Sequence, residues 1–205
     1  MWKKKSLDSY DFKSTLIEFF DKDAEASKKL ADLDWDTWFY KPGFPPKPDF
    51  DTSMVDVCYA LSSKWEKANS GNDSGFKPEA KDIEGWSANQ SVVFLESIQT
   101  LETPLKPELV DLMGKVYTYA ESKNVELVSR YYIVGLKAKD QSVFQPTADL
   151  LGTVGRMKFV RPLYRGLKEC DEKLAKATFE KNKDFYHPIC KGMVDKDLYG
   201  HGKGG

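Results

Sequence analysis

One short stretch of the sequence, GRMKFVRPL (Gly155 to Leu163), sets Arg156, Lys158 and Arg161 among large apolar side chains. An arginine offers a planar fork of donors and a lysine a compact charge, so the chemistry on offer is capture of an anion, a carboxylate above all. Gly155 reads as a left-handed stop for the helix before it, and Pro162 as the first residue of the helix after it. Between them the spacing predicts extended chain, in which residues two apart point the same way. Arg156 and Lys158 would then share one side, with Met157 and Phe159 turned toward the core. Arg161 would sit at a helix N-terminus, where the macrodipole adds to the positive field. On the residues alone, a basic loop that simply meets water remains the alternative.

Other groups offer less. There are only two histidines, His187 and His201, so an H-E-x-x-H zinc helix is ruled out within this chain. His187 and Cys190 stand three apart in YHPIC, a spacing compatible with a shared metal. Pro188 follows the histidine, however, and only His201, or Asp195 and Asp197, could complete the set; a structural or exposed histidine is the simpler reading. Neither a G-x-S-x-G elbow nor a phosphate-binding glycine loop occurs. Cys58, Cys170 and Cys190 read as small hydrophobes, not nucleophiles. By itself the chain is expected to lack the means for bond chemistry.

The elements that must position these groups read as helical. Phe12, Leu16, Phe19 and Phe20 follow the spacing of an amphipathic helix. A second short helix is expected within 23–33, and Asp34 can cap a turn holding Trp35, Trp38, Phe39 and Tyr40. KPGFPPKPDFD, Lys41 to Asp51, carries four prolines and a glycine in eleven residues, and so reads as an extended linker. Beyond it, Met54, Cys58, Leu61 and Trp65 share a face, and 69–75 is a polar loop. Ser87 and Gln90 form a capping box, and Pro107 suits a first helical position. Val128, Tyr131, Tyr132 and Leu136 mark another helix. Ala148, Leu151 and Val154 mark one ending at Gly155; Leu163, Tyr164, Leu167 and Cys170 follow Pro162; Leu174, Thr178 and Phe185 lie on a last long helix. No window alternates with period two. The expected class is all-α, built from stacked antiparallel helix pairs.

Composition narrows the partners. Against 32 acidic residues stand 31 basic ones, a net charge of -1, which predicts no nucleic-acid partner. No apolar run approaches the ~18 residues of a membrane span, so no membrane is expected. The opening MWKKKSLDSYDF lacks the apolar segment of a secretory signal. An odd set of widely spaced cysteines fits reduced thiols and a cytoplasmic setting.

Taken in order, DWDTWFYKPGFPPKP, VDVCYALSSKW, GRMKFVRPL and HPICKGMVDKDL resemble the C-terminal part of the leukotriene A-4 hydrolase and aminopeptidase family. The resemblance covers nearly the whole chain. It implies a three-domain zinc enzyme that trims short peptides, some members also hydrolysing a fatty-acid epoxide, and a C-terminal domain shaped as a right-handed superhelix of helix pairs. It further implies that residues 1–40 are the tail of the preceding catalytic domain, joined through the linker at 41–51 to the helical domain, 52–199. The last residues, 200–205, are glycine-rich and read as a flexible tail. Zinc and its ligands would belong to the catalytic domain, a partner in cis, with no cofactor in this chain. Arg156 and Lys158 would receive the carboxylate of a peptide or fatty-acid epoxide. Arg161 carries no such role and is better read as part of a structural ion pair. The nucleus is a second compartment the resemblance allows. The rival is an independent helical scaffold that binds proteins.

Overall fold

Aspartates open each helix of the N-terminal stretch. In this computed structural model, which describes residues 5–47, 49–71 and 75–200, Asp8 accepts from the Asp11 amide at 2.8 Å and starts α1 (Ser9–Phe19). Asp23 accepts from the Glu25 and Ala26 amides ahead of α2 (Ala24–Ala31). Asp34 accepts from the Thr37 amide ahead of α3 (Trp35–Phe39). Such side chains satisfy amides that the first helical turn leaves without partners. Trp35 is buried and anchors this stretch by donating Nε1–H to the Leu30 carbonyl at 3.0 Å. The chain divides into two compact units, Met1–Asp51 and Thr52–Gly205.

Among the described residues the second unit holds eight α-helices: α4 (Ser53–Asn69), α5 (Ala88–Gln99), α6 (Pro107–Val116), α7 (Val125–Lys137), α8 (Phe144–Leu151), α9 (Met157–Cys170), α10 (Glu172–Asn182) and α11 (Pro188–Tyr199). No strand occurs among the described residues. Local chemistry starts them where it should: the Ser87–Gln90 capping box opens α5, Pro107 takes the first position of α6, and Asn124 caps α7. In space α4 packs on α5, α5 on α7, α7 on α9 and α9 on α11, while α6, α8 and α10 back α7 and α9. The fold is therefore all-α, a stack of antiparallel helix pairs. Trp65, Phe94, Tyr164 and Phe179 fill its core. Near α9 the Tyr164 and Tyr186 hydroxyls lie 2.9 Å apart, and Tyr186 donates to the Leu151 carbonyl at 2.6 Å.

Three expectations need correction. Helix α8 stops at Leu151, with Gly152 as its C-cap, and Gly155 is not left-handed. Helix α9 begins at Met157, so Pro162 lies inside it and does not open it. Proline in a helix interior costs about 3 kcal/mol. Phe159, Val160, Leu163, Tyr164 and Leu167 are all buried along α9 at helical spacing, and each such burial stabilises by about 1.5–3 kcal/mol. Burial outweighs the proline. Finally, the helix expected to carry Leu174, Thr178 and Phe185 is α10, which ends at Asn182 and leaves Phe185 outside it, and a further, unexpected helix, α11, starts at Pro188 behind a His187 cap. The loop tip 72–74 and, apart from Gly200, the expected tail 200–205 lie outside the described residues.

Candidate functional site

Arg156 is the N-cap of α9, with extended backbone (φ -74°, ψ 119°), and its carbonyl accepts from the Phe159 and Val160 amides at 2.9 and 3.1 Å. No side chain caps this helix start. Cations therefore occupy the cap and the second helical position, where the macrodipole is already positive and acidic residues normally gather. Because the stretch is helical, Arg156 and Lys158 do not share a side as an extended chain would have it. Met157 is 39% exposed and Phe159 only 7%, so of the two apolar residues expected in the core only Phe159 is there. Its ring neighbours both cations: the Arg156 Cζ stands 5.7 Å from the ring centroid and the Lys158 Nζ 5.4 Å. Cation–π attraction of this kind is worth about 0.5–1 kcal/mol at exposed sites.

The two cations differ in what else they touch. Among the described residues the Arg156 side chain makes no hydrogen bond or ion pair, and it is exposed. Lys158 donates to both oxygens of Glu126 on α7, each at 2.8 Å. Glu126 is shared with Arg130 at 2.6 Å, and Arg130 also bonds Glu96 at 2.7 Å. The Lys158 ammonium first, then the Arg130 guanidinium, hold the Glu126 carboxyl below its usual range.

Arg161 is committed elsewhere. It donates from Nε and Nη2 to the two oxygens of Asp197 on α11, at 2.8 and 3.1 Å, and Arg165 adds a bond at 2.9 Å. The Arg161 bonds, aided by Arg165, outweigh burial and take the Asp197 carboxyl from its ordinary 3.8 to about 2. A carboxyl depressed on folding stabilises the fold above its unfolded pKa, and that stability is lost as pH falls through the folded value. Between about pH 5 and about pH 2, wild type should lose ~2 kcal/mol more than Asp197→Asn. Denaturant midpoints at both pH values check this; parallel losses would remove Asp197 from the acid response.

His187 accepts the Ile189 amide at its Nδ1, 3.2 Å away, as the cap of α11. Cys190 is buried, and burial pushes its thiol up. Among the described residues no group of three His, Cys, Asp or Glu could hold a metal; His201 lies outside them.

The family model described as leukotriene A4 hydrolase, C-terminal, matches residues 86–198. A leucine aminopeptidase 2 of Sclerotinia sclerotiorum is 63% identical over 197 residues, which is 96% of this chain and 31% of that protein. The chain belongs to the leukotriene A4 hydrolase family. A leukotriene A-4 hydrolase homolog of Botryotinia fuckeliana is 62% identical over 96% of the chain and 30% of its own length. The solved native yeast LTA4 hydrolase superposes with a TM-score of 0.81 at 41% identity, over 96% of this chain and 33% of that one. The chain thus spans about a third of these relatives, and its helical unit is the C-terminal domain of leukotriene A4 hydrolase family proteins, a right-handed superhelix of helix pairs.

Within this leukotriene A4 hydrolase domain, three residues around the basic stretch escaped the sequence. Glu126 and Arg130 advertise themselves only as an i, i+4 pair, and nothing local connects Glu126 to Lys158, 32 positions on. Asp197 figured in the sequence only as a possible metal ligand.

Proposed function

We propose that this chain is the C-terminal helical domain of a zinc-dependent aminopeptidase that also acts as an epoxide hydrolase, and that it shapes the substrate cleft and binds the substrate carboxylate through Arg156 and Lys158. The observation that carries the proposal is the start of α9: a helix end with no side-chain cap, bearing an arginine whose side chain makes no hydrogen bond or ion pair among the described residues, and a lysine two residues on. The positive end of a helix with a free guanidinium on its cap favours an anion, and Lys158 stands beside it, paired with Glu126. Membership of the family and the names of its relatives supply the reaction class.

Arg156 would donate two parallel N–H bonds to the carboxylate, and Lys158 a further charge. Fixing that end at a set distance from the reacting bond orients a short peptide and rejects long ones. Zinc supplies Lewis-acid activation of water in the preceding catalytic domain, the partner in cis; this chain's own residues bind and orient. Residues 1–40 form the tail of that domain, 41–51 the linker and 52–199 the helical domain. The complete protein works in the cytoplasm, with the nucleus as a second compartment, and needs neither nucleic acid nor membrane. No helix among the described residues is long and apolar enough to cross a membrane.

Two measurements test the proposal. The isolated chain, assayed with chromogenic aminoacyl substrates in added zinc, should show no turnover; metal-dependent turnover well above blank would overturn the division of labour. In the complete enzyme, a free tripeptide should be preferred over its C-terminal amide, and equal kcat/KM for the two would remove the carboxylate site.

A further inference from the structure

Lys158 already holds a carboxylate. Its Nζ donates to both oxygens of Glu126 at 2.8 Å, although the lysine side chain is 46% and the glutamate 32% exposed. Arg130 fixes Glu126 from the other side, donating from Nη1 to Oε2 at 2.6 Å and to the Glu126 backbone carbonyl at 2.8 Å. Glu96 completes the row through its bond to Arg130 Nε. These four charges cancel. An arriving anion therefore meets the full field of Arg156 but little net field from Lys158. Glu126 is also the same chemical group, in the same contact, that the site is proposed to receive.

We infer that Glu126 is a built-in competitor for Lys158, one that lowers the affinity of the site for short peptides ending in a free carboxylate. The inference rests on the carboxylate site proposed at Arg156 and Lys158. A carboxylate bonded by Arg156 must draw the ammonium off Glu126 or share it, and sharing sets two anions against one cation. Half-exposed pairs are worth little, so the competition tunes selectivity and does not close the site. Substrates without a carboxylate gain nothing from Lys158 and lose nothing to Glu126.

The test uses the complete enzyme and the ratio of kcat/KM for a free tripeptide to that for its amide. Glu126→Gln keeps the shape of the side chain and an oxygen for Arg130 while removing the charge. It should raise the ratio about three- to fivefold, chiefly through KM for the free peptide. In a Lys158→Ala background there is no ammonium for Glu126 to occupy, and the same change removes only an exposed, screened charge that shares Arg130 with Glu96; it should raise the ratio less than about twofold. An unchanged ratio overturns the inference. A lower ratio overturns it too, since Glu126 would then be a strut that Lys158 needs. So does an equal gain with Lys158 absent. Arg156→Ala, measured alongside, separates the two levels. If it spares the ratio, the carboxylate site itself is wrong; if it collapses the ratio while Glu126→Gln does not raise it, only the competitor falls.

Discussion

Replacing Arg156 with alanine in the complete enzyme is expected to lower kcat/KM for a free tripeptide roughly tenfold to more than a hundredfold, because charged hydrogen bonds contribute ~1.5–3 kcal/mol each and 1.4 kcal/mol is tenfold. The fold should be untouched. Arg156 is exposed, its side chain holds no ion pair among the described residues, and beyond a cation–π contact with Phe159 its structural contribution is backbone: a carbonyl accepting from Phe159 and Val160. Alanine keeps that carbonyl. The amide of the same tripeptide should be far less sensitive, since it offers no anion. Lys158→Ala should act in the same direction but less severely: an ammonium makes no bidentate pair, and Glu126 already engages it. The decisive number is the free-to-amide ratio in wild type and both variants. If Arg156→Ala lowers both substrates equally, the residue supports structure only.

The largest stability effect should come from Trp65→Ala, a loss of about 3–5 kcal/mol. Trp65 on α4 is fully buried, with ring centroids of Phe76 and Tyr117 at 5.6 and 5.9 Å. Its Nε1–H donates to the Tyr117 hydroxyl at 3.3 Å, and that hydroxyl donates to Asp82 at 2.9 Å. Truncation leaves a cavity and takes away the donor at once. Trp65→Phe separates the two, because it refills most of the space and Tyr117 keeps its bond to Asp82; about 1 kcal/mol should be lost for the missing hydrogen bond. Guanidinium midpoints with an unchanged slope give both values. A Trp65→Ala loss no larger than that of Trp65→Phe would mean that packing around α4 relaxes into the space.

What the sequence determined by itself was local. Helical periodicity shows at Val128, Tyr131, Tyr132 and Leu136, and start signals show at Asp34, Ser87–Gln90 and Pro107, because caps and amphipathic faces involve residues no more than four apart. The identities of Arg156 and Lys158 were equally legible, and so was their bias toward an anion, which comes from side-chain chemistry alone. The tertiary structure decided how that chemistry is presented. Pro162 looked like a helix start because proline is best tolerated there; only the burial of Phe159, Val160 and Leu163 against neighbouring helices shows why α9 runs through it. The pairing of Lys158 with Glu126 and of Arg161 with Asp197 joins residues 32 and 36 positions apart. Those partners are chosen by which helices stack, and stacking is fixed by the summed burial of whole faces, a quantity that no window of neighbouring residues contains.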